Sequence, residues 1–154
     1  MKSNKLAATA ILLWLATIAV FAWLFVHGNT TAGSDGRTAI LLKTEERGLV
    51  LAEMRGLLSA TQAVLDGANQ NDMKLVAKTA TAAGMGSAAD VNPVLMAKLP
   101  VDFKSLGMSV HHDMDEIAKA AEAGVPQAEI LKMTSNTLTK CVACHSAWQL
   151  KEAN

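Results

Sequence analysis

The sequence predicts an all-α protein, an antiparallel four-helix bundle preceded by one transmembrane helix. Three observations carry that expectation. The chain opens on a long apolar run without a charge. The remainder divides at Gly, Asn and Pro breaks into four segments whose apolar residues recur at helical spacing. Of the 154 residues, 51% are hydrophobic but only 4% aromatic; Tyr is absent, and Ala, Leu and Met dominate. Such a composition favours helix over sheet.

The first element is Leu6–Val26, LAATAILLWLATIAVFAWLFV, long enough to cross a bilayer core as a helix. Lys2 and Lys5 precede it, and no Lys or Arg follows until Arg37. The positive-inside rule then leaves residues 1–5 as a cytoplasmic tail and exports the rest, here to the periplasmic side of a bacterial inner membrane. A cleaved signal peptide is the competing reading, with Val20-Phe21-Ala22 or Thr30-Thr31-Ala32 as cleavage sites. The apolar run exceeds an ordinary signal-peptide core, which favours a retained single-pass anchor at 6–26. Residues 27–34, rich in Gly, Asn and Thr, read as a linker to a domain spanning 35–154.

Helix A is expected from about Asp35 to Asp66, with Ser34 or Asp35 as its cap. Arg47, Leu51, Met54, Leu58, Thr61 and Leu65 fall on one of its faces. The run Gly67-Ala68-Asn69-Gln70-Asn71 ends it. Helix B, about Asp72 to Ala83, turns Met73, Val76, Ala77 and Ala80 inward. Gly84–Val101 reads as a long connection, with a short packed turn at Val94-Leu95-Met96. Helix C, about Asp102 to Ala123, carries the stripe Phe103, Val110, Met114, Ile117 and Ala121 and stops at Gly124. Pro126 suits the first turn of helix D, whose stripe Leu131, Thr134, Leu138, Cys141, His145, Trp148 steps by three and four.

Helix D ends in Cys141-Val142-Ala143-Cys144-His145, and these are the chain's only two cysteines. C-x-x-C-H is the attachment signature of c-type haem. Two thiols three residues apart can add across the two haem vinyl groups, and the adjacent imidazole can ligate the iron. On a helix the three side chains share one side. A disulfide would leave His145 unexplained, and structural zinc wants a fourth ligand. A thioredoxin-like pair would follow a strand in a βαβ unit, for which there is no pattern. The expected cofactor is therefore one covalently attached haem c, with His145 as the metal ligand. Haem attachment to this motif occurs outside the bacterial inner membrane, in agreement with the anchor's polarity.

Element order and motif position together resemble the class II cytochromes c, the cytochrome c-prime family, over roughly residues 35 to 154. The specific parts are Cys141-Val142-Ala143-Cys144-His145-Ser146-Ala147-Trp148 and Arg47-Gly48-Leu49-Val50-Leu51-Ala52-Glu53-Met54. The resemblance implies that Arg47 sits near a haem propionate and that Leu51 faces the open side of the iron. Low-spin relatives place a Met at the Leu51 position, and Met54 lies one turn on. High-spin members carry Arg or Lys four residues after the axial histidine, where this chain has Gln149. A transmembrane anchor is unusual for the family.

A thioether from Met54 would complete a His/Met pair, although a Met on an apolar stripe is more often core filler. His111 and His112 point about 100° apart, so at most one can face the haem; boundary or surface positions beside Asp113 and Asp115 are the preferred reading for both. The acidic cluster Asp113, Asp115 and Glu116 reads as a solvated face.

Basic and acidic side chains number 14 each, and Lys2 and Lys5 belong to the tail, so the exported part is slightly acidic. That argues against a nucleic-acid partner. No Ser/His/Asp set, phosphate loop or paired-carboxylate site is present, so no catalytic residues are expected and the chain is not read as an enzyme. The expected function is a membrane-anchored periplasmic cytochrome passing single electrons to membrane-bound or periplasmic redox proteins, free-standing or as a subunit of a larger oxidoreductase. The alternative is a five-coordinate haem protein that binds NO or CO. Tethering raises the effective concentration near membrane partners and favours the carrier. A homodimer is compatible with the sequence.

Overall fold

The computed structural model describes residues 2–88 and 91–153, and of Lys2 and Ser3 the backbone only. Met1 of the expected tail, Ala89 and Asp90 of the expected connection, and Asn154 lie outside the described residues. The chain is mostly helical. Its elements run α1 (Lys2–His27), β1 (Thr30–Ala32), β2 (Thr38–Leu42), α2 (Thr44–Asn69), α3 (Met73–Ala82), a 3-10 turn (Met85–Ala88), α4 (Pro93–Lys98), α5 (Val101–Glu122), α6 (Gln127–Ala147) and β3 (Trp148–Glu152).

Helix α1 is long and apolar enough, over Asn4–His27, to cross a membrane, and none of that span is buried by the rest of the chain. Its large apolar side chains, Trp14, Phe21 and Trp23 among them, face outward, as lipid contact requires. The helix stops at Gly28, which adopts φ 64°; its N–H donates to the Leu24 carbonyl at 2.8 Å, closing the last turn in the left-handed manner open to glycine. A Cβ at Gly28 would overlap the backbone of Lys98 and Pro100, so the end of α1 lies hard against α4.

The stretch expected to be a linker, and the expected first turns of helix A, are instead a β-hairpin. The Asp35 carboxylate accepts from the Arg37 backbone N–H at 3.2 Å, and Gly36 follows at φ 86°. Asp35 and Gly36 thus build a turn rather than a helix cap. Beyond it, Ala39, Ile40 and Leu42 are wholly buried, and α2 starts only at Thr44. Strand β2 pairs antiparallel with β1 and parallel with β3, with Thr38 opposite Trp148, Ile40 opposite Leu150 and Leu42 opposite Glu152. Helix D was expected to carry Trp148, whereas α6 ends at Ala147 and Trp148 opens β3. Parallel pairing needs a crossover connection. Here the crossover is every helix from α2 to α6, so the sheet staples the two ends of the helical region together.

Helices α5 and α6 run antiparallel, as shown by Lys140 on Asp113 (2.6 Å) and Phe103 on Trp148 (5.8 Å between ring centroids). Two cores form. One gathers Val64, Ala68, Val76, Met114, Ile117 and Ile130 from α2, α3, α5 and α6, with alanines at many contacts. The other gathers Ile40, Leu42, Leu95, Leu99 and Phe103 beside the sheet, with Met54, Cys144, Trp148 and Leu150 packed on it.

Candidate haem site

Between the two cores the helices do not close. A groove of about 450 Å³ opens between α2, α5 and α6, walled by Leu51, Leu58, Val110, Leu138, Cys141 and Cys144. Protein interiors carry few voids larger than a water molecule, and ligand pockets begin at about 300 Å³, so this gap is of ligand size. Leu58 is 67% exposed on its wall. A second recess of about 170 Å³ continues from it toward the sheet, shares Leu51, Met54, Phe103, Cys144 and His145, and ends at Arg37, Arg47 and Trp148.

The local sequence accounts for the placement. The buried face of α6 is Ile130, Thr134 and Thr137, and the same three-and-four stepping brings Cys141 and Cys144 next onto the inner side. Both thiols are free and half-buried, and burial pushes both up from the ordinary thiol range. His145 is exposed in the last turn of the helix and lines both recesses. The turn after it is pinned: the Arg37 guanidinium donates from Nη1 to the carbonyls of His145 (3.2 Å) and Trp148 (3.4 Å).

The residues singled out on helix A come together with the motif. Arg47, Leu51 and Met54 line the recess beside His145. The Arg47 Nε donates to the Leu150 carbonyl at 3.3 Å, which aims its guanidinium along the recess wall. Met54 packs on the core of Ile40, Leu42 and Phe103. Gln149 lies on β3, where its amide donates to Asp35 Oδ1 at 2.8 Å.

His112 is exposed, as expected, but His111 is only 4% exposed and is not a surface residue. Its Nδ1 donates to the Ala83 carbonyl at 2.9 Å. Its Nε2 lies 3.4 Å from Glu53 Oε1. The α3–α5 contact draws this ring inward, and its place three residues before Met114 and seven before Ala118 was the signal in the sequence that put it on the buried side of α5. Arg37 also escaped sequence reading, because an Arg in a polar turn looks solvated. Its Asp35 partner, with Arg37 Nη2 2.6 Å from Asp35 Oδ2, holds it over the motif instead.

Among the described residues no three His, Cys, Asp or Glu side chains gather as a site for a bare metal ion. An iron held in a porphyrin asks for less, since the ring supplies four nitrogens and the protein a single imidazole. The donor set and the apolar groove fit such a group. No family model matches the chain, and neither a curated protein nor a solved structure matches it.

Proposed function

We propose that this chain is a membrane-anchored, periplasmic c-type cytochrome of the cytochrome c-prime kind, carrying one haem c on Cys141 and Cys144 with His145 as axial ligand. The observation that carries this reading is a C-x-x-C-H motif on the wall of an apolar, ligand-sized groove between two packed cores. The antiparallel contacts of α5 with α6, and the shared core of α2, α3, α5 and α6, support a four-helix bundle as the carrier of that groove. The outward-facing apolar helix α1 supports the inner-membrane anchor.

Each residue has a part. Cys141 and Cys144 would hold the group through thioethers, each S–H adding across a vinyl double bond with sulfur to one carbon and hydrogen to the other. His145, exposed and lining both recesses, would supply the imidazole to the iron. Arg37 and Arg47, at the sheet end of the recess, offer guanidinium groups to the propionates. Leu51, Phe103 and Trp148 exclude water from the ring. When bound, the haem supplies a one-electron ferric–ferrous couple. The partners proposed are membrane-bound or periplasmic redox proteins, met at the surface to which α1 holds the domain. One observation favours the gas-binding alternative: Leu51, which cannot ligate iron, lines both recesses beside His145.

The test is covalent attachment. Protein expressed with its haem-attachment machinery is denatured and run on a gel, and its pyridine haemochrome is recorded. Haem staining that stays with the chain, with a c-type spectrum, is the expected result, and Cys141→Ala or Cys144→Ala weakens it. Haem that extracts wholly into acidic organic solvent overturns the reading.

A further inference from the structure

Helix α4 is apolar on both sides. Leu95 and, just past the helix, Leu99 are buried in the core beside the sheet, with Phe103. The opposite side shows Pro93, Val94 and Ala97, all exposed, Val94 at 63%. Val91, just before the helix, is 38% exposed. From Val91 to Ala97 only Asn92 is polar, and its side chain caps the helix, accepting from the Val94 N–H at 2.8 Å. Lys98 closes the helix, but its ammonium turns to Glu46 of α2 at 2.5 Å. Leu49 of α2, 61% exposed, stands with Val91 on a further cavity of about 340 Å³ behind the groove's wall and extends the apolar surface. A helix that is apolar all round belongs in a protein core or in lipid.

The place of α4 in the fold decides between the two. Its end is fixed to α1, where the Asn29 N–H donates to the Lys98 carbonyl at 2.7 Å and Gly28 packs on the backbone of Lys98 and Pro100. The contact also reaches back inside the apolar span. The Lys104 ammonium donates to the carbonyls of Phe25 and Met96, at 3.3 and 3.2 Å, and sits 3.8 Å from the centre of the Phe25 ring. Phe25 lies three residues before Gly28, about 4.5 Å deeper along the helix axis. The 24 residues of the span make a helix about 36 Å long, against a hydrocarbon core of about 30 Å. Its last turn therefore stands in the headgroup layer. The corner between α4 and α5 comes down into the same layer, and Val94, within one helical turn of Met96, comes with it.

We propose that the outer face of α4 is a second membrane contact, resting on the phospholipid surface around the exit of α1. Pro93, Val94 and Ala97 sit at the boundary of headgroups and acyl chains, as the apolar face of an interfacial helix does. The inference rests on the membrane-anchor reading of α1 and not on the haem. Lipid suits this face better than a protein partner. The face is continuous with the lipid-facing surface of α1, and the side chains of Leu49, Val91, Pro93, Val94 and Ala97 fall short of the roughly 800 Å² that a specific protein interface buries on each side. A single spanning helix leaves a domain free to swivel, whereas a second contact fixes its tilt. Leu95 and Leu99 share a core with Phe103, which lines the groove. The lipid contact thus sets which way the groove faces above the bilayer, and with it the side open to redox partners.

The experiment places photoreactive p-benzoylphenylalanine at one exposed position at a time, Phe21, Val94, Ala97 or Glu122, in the full chain in phospholipid nanodiscs. Mass spectrometry after irradiation reads what each position has captured. Phospholipid adducts are expected at Phe21 within the span and at Val94 and Ala97. None is expected at Glu122, about 27 Å along α5 from Lys104. Ala97→Glu should lower lipid capture at Val94, because burying a carboxylate in the contact costs free energy. Lipid captured at Phe21 but at neither Val94 nor Ala97 overturns the proposal and leaves the anchor standing. Capture of a second copy or of another protein at Val94 overturns it too, as does lipid capture at Glu122 equal to that at Val94, or capture at Val94 indifferent to Ala97→Glu. No lipid at Phe21, with a chain that N-terminal sequencing starts near Trp23 or Gly33, removes the anchor reading and this inference together. Haem staining of the same preparation reads the cytochrome proposal separately, and its failure leaves the lipid adducts unchanged.

Discussion

Phe103 and Trp148 meet edge to face, with ring centroids 5.8 Å apart and planes at 88°. Phe103 stands near the start of α5, and Trp148 is the first residue after α6. The pair locks the point at which the motif-bearing helix becomes strand β3. Phe103 also lines both the groove and the two cavities flanking it, so one ring sets how far apart those spaces stand.

Truncating this contact should be costly. Phe103→Ala is expected to lower unfolding free energy by about 3–5 kcal/mol, from lost burial and a residual void. Trp148→Ala should cost less because Trp148 is only half-buried. In the double variant the aromatic pair is lost once rather than twice, giving a coupling of about 0.5–1.5 kcal/mol. Chemical denaturation of the four proteins of the cycle measures it; additive losses would show that the two rings act independently.

The distal side of the proposed haem should be open. Met54 is occupied in packing on Ile40, Leu42 and Phe103, and His111 directs Nε2 at Glu53. Met54→Ala, His111→Ala and the parent should share one high-spin ferric spectrum, with CO entering on reduction. Leu51→Ala should speed CO association by removing the side chain that covers the site. A low-spin parent that turns high-spin in Met54→Ala would mean that the thioether reaches the iron; the same change in His111→Ala would assign the sixth ligand to the imidazole.

Helix α1 and the rest of the chain should behave as one packed unit. The Asn29 N–H donates to the Lys98 carbonyl at 2.7 Å, and the Asn29 side chain donates to Leu41 O at 2.9 Å. Lys104 closes the joint on Phe25, and its burial pushes the ammonium down from the ordinary lysine range. Lys104→Met keeps the stem but removes the charge at the end of α1, where a cation is favoured. Faster amide hydrogen exchange across Phe25–Asn29 is expected in that variant. Exchange as slow as in the parent would show that the Gly28 and Asn29 contacts hold the joint alone.

Acid should weaken the contact between α2 and α4. The Glu46 carboxylate is hydrogen-bonded to the Lys98 ammonium at 2.5 Å and accepts from the Lys43 backbone N–H at 2.9 Å, and these hold it below the usual glutamate range. A carboxyl whose folded pKa is depressed contributes stability above its unfolded pKa, and the contribution disappears as pH falls through the folded value. Glu46→Gln should therefore lower the melting temperature at pH 7, and the difference from the parent should shrink steadily below about pH 4. A difference that stayed constant down to pH 2 would show that the carboxylate's charge plays no part.

Much of the chain was legible residue by residue. The apolar run at Leu6–Val26 and the stripes Met73–Ala80 and Phe103–Ala121 are local patterns, whereas on α2 the lower inward face is Val64 and Ala68 rather than the expected Leu58, which is exposed, and Leu65. Helix geometry converts spacing directly into a face, so α1 and the bodies of α2, α3, α5 and α6 follow from sequence. The spacing of Cys141, Cys144 and His145 likewise puts the three on one side of a helix without any knowledge of the fold. Even the short turn at Val94-Leu95-Met96 lies where α4 forms. Tertiary structure decided the rest. Thr38–Leu42 is a strand between Thr30–Ala32, reached through the Asp35-Gly36 turn, and Trp148–Glu152, more than a hundred residues away; the turn was a local signal, whereas the parallel partner left none. His111 is buried because α3 and the turn after it supply the Ala83 carbonyl and close over the ring. The groove is lined by residues of both cores, Leu57 from one and Met54, Phe103 and Cys144 from the other, brought together from α2, α5 and α6. That is a relation between elements, and spacing along one chain cannot encode it.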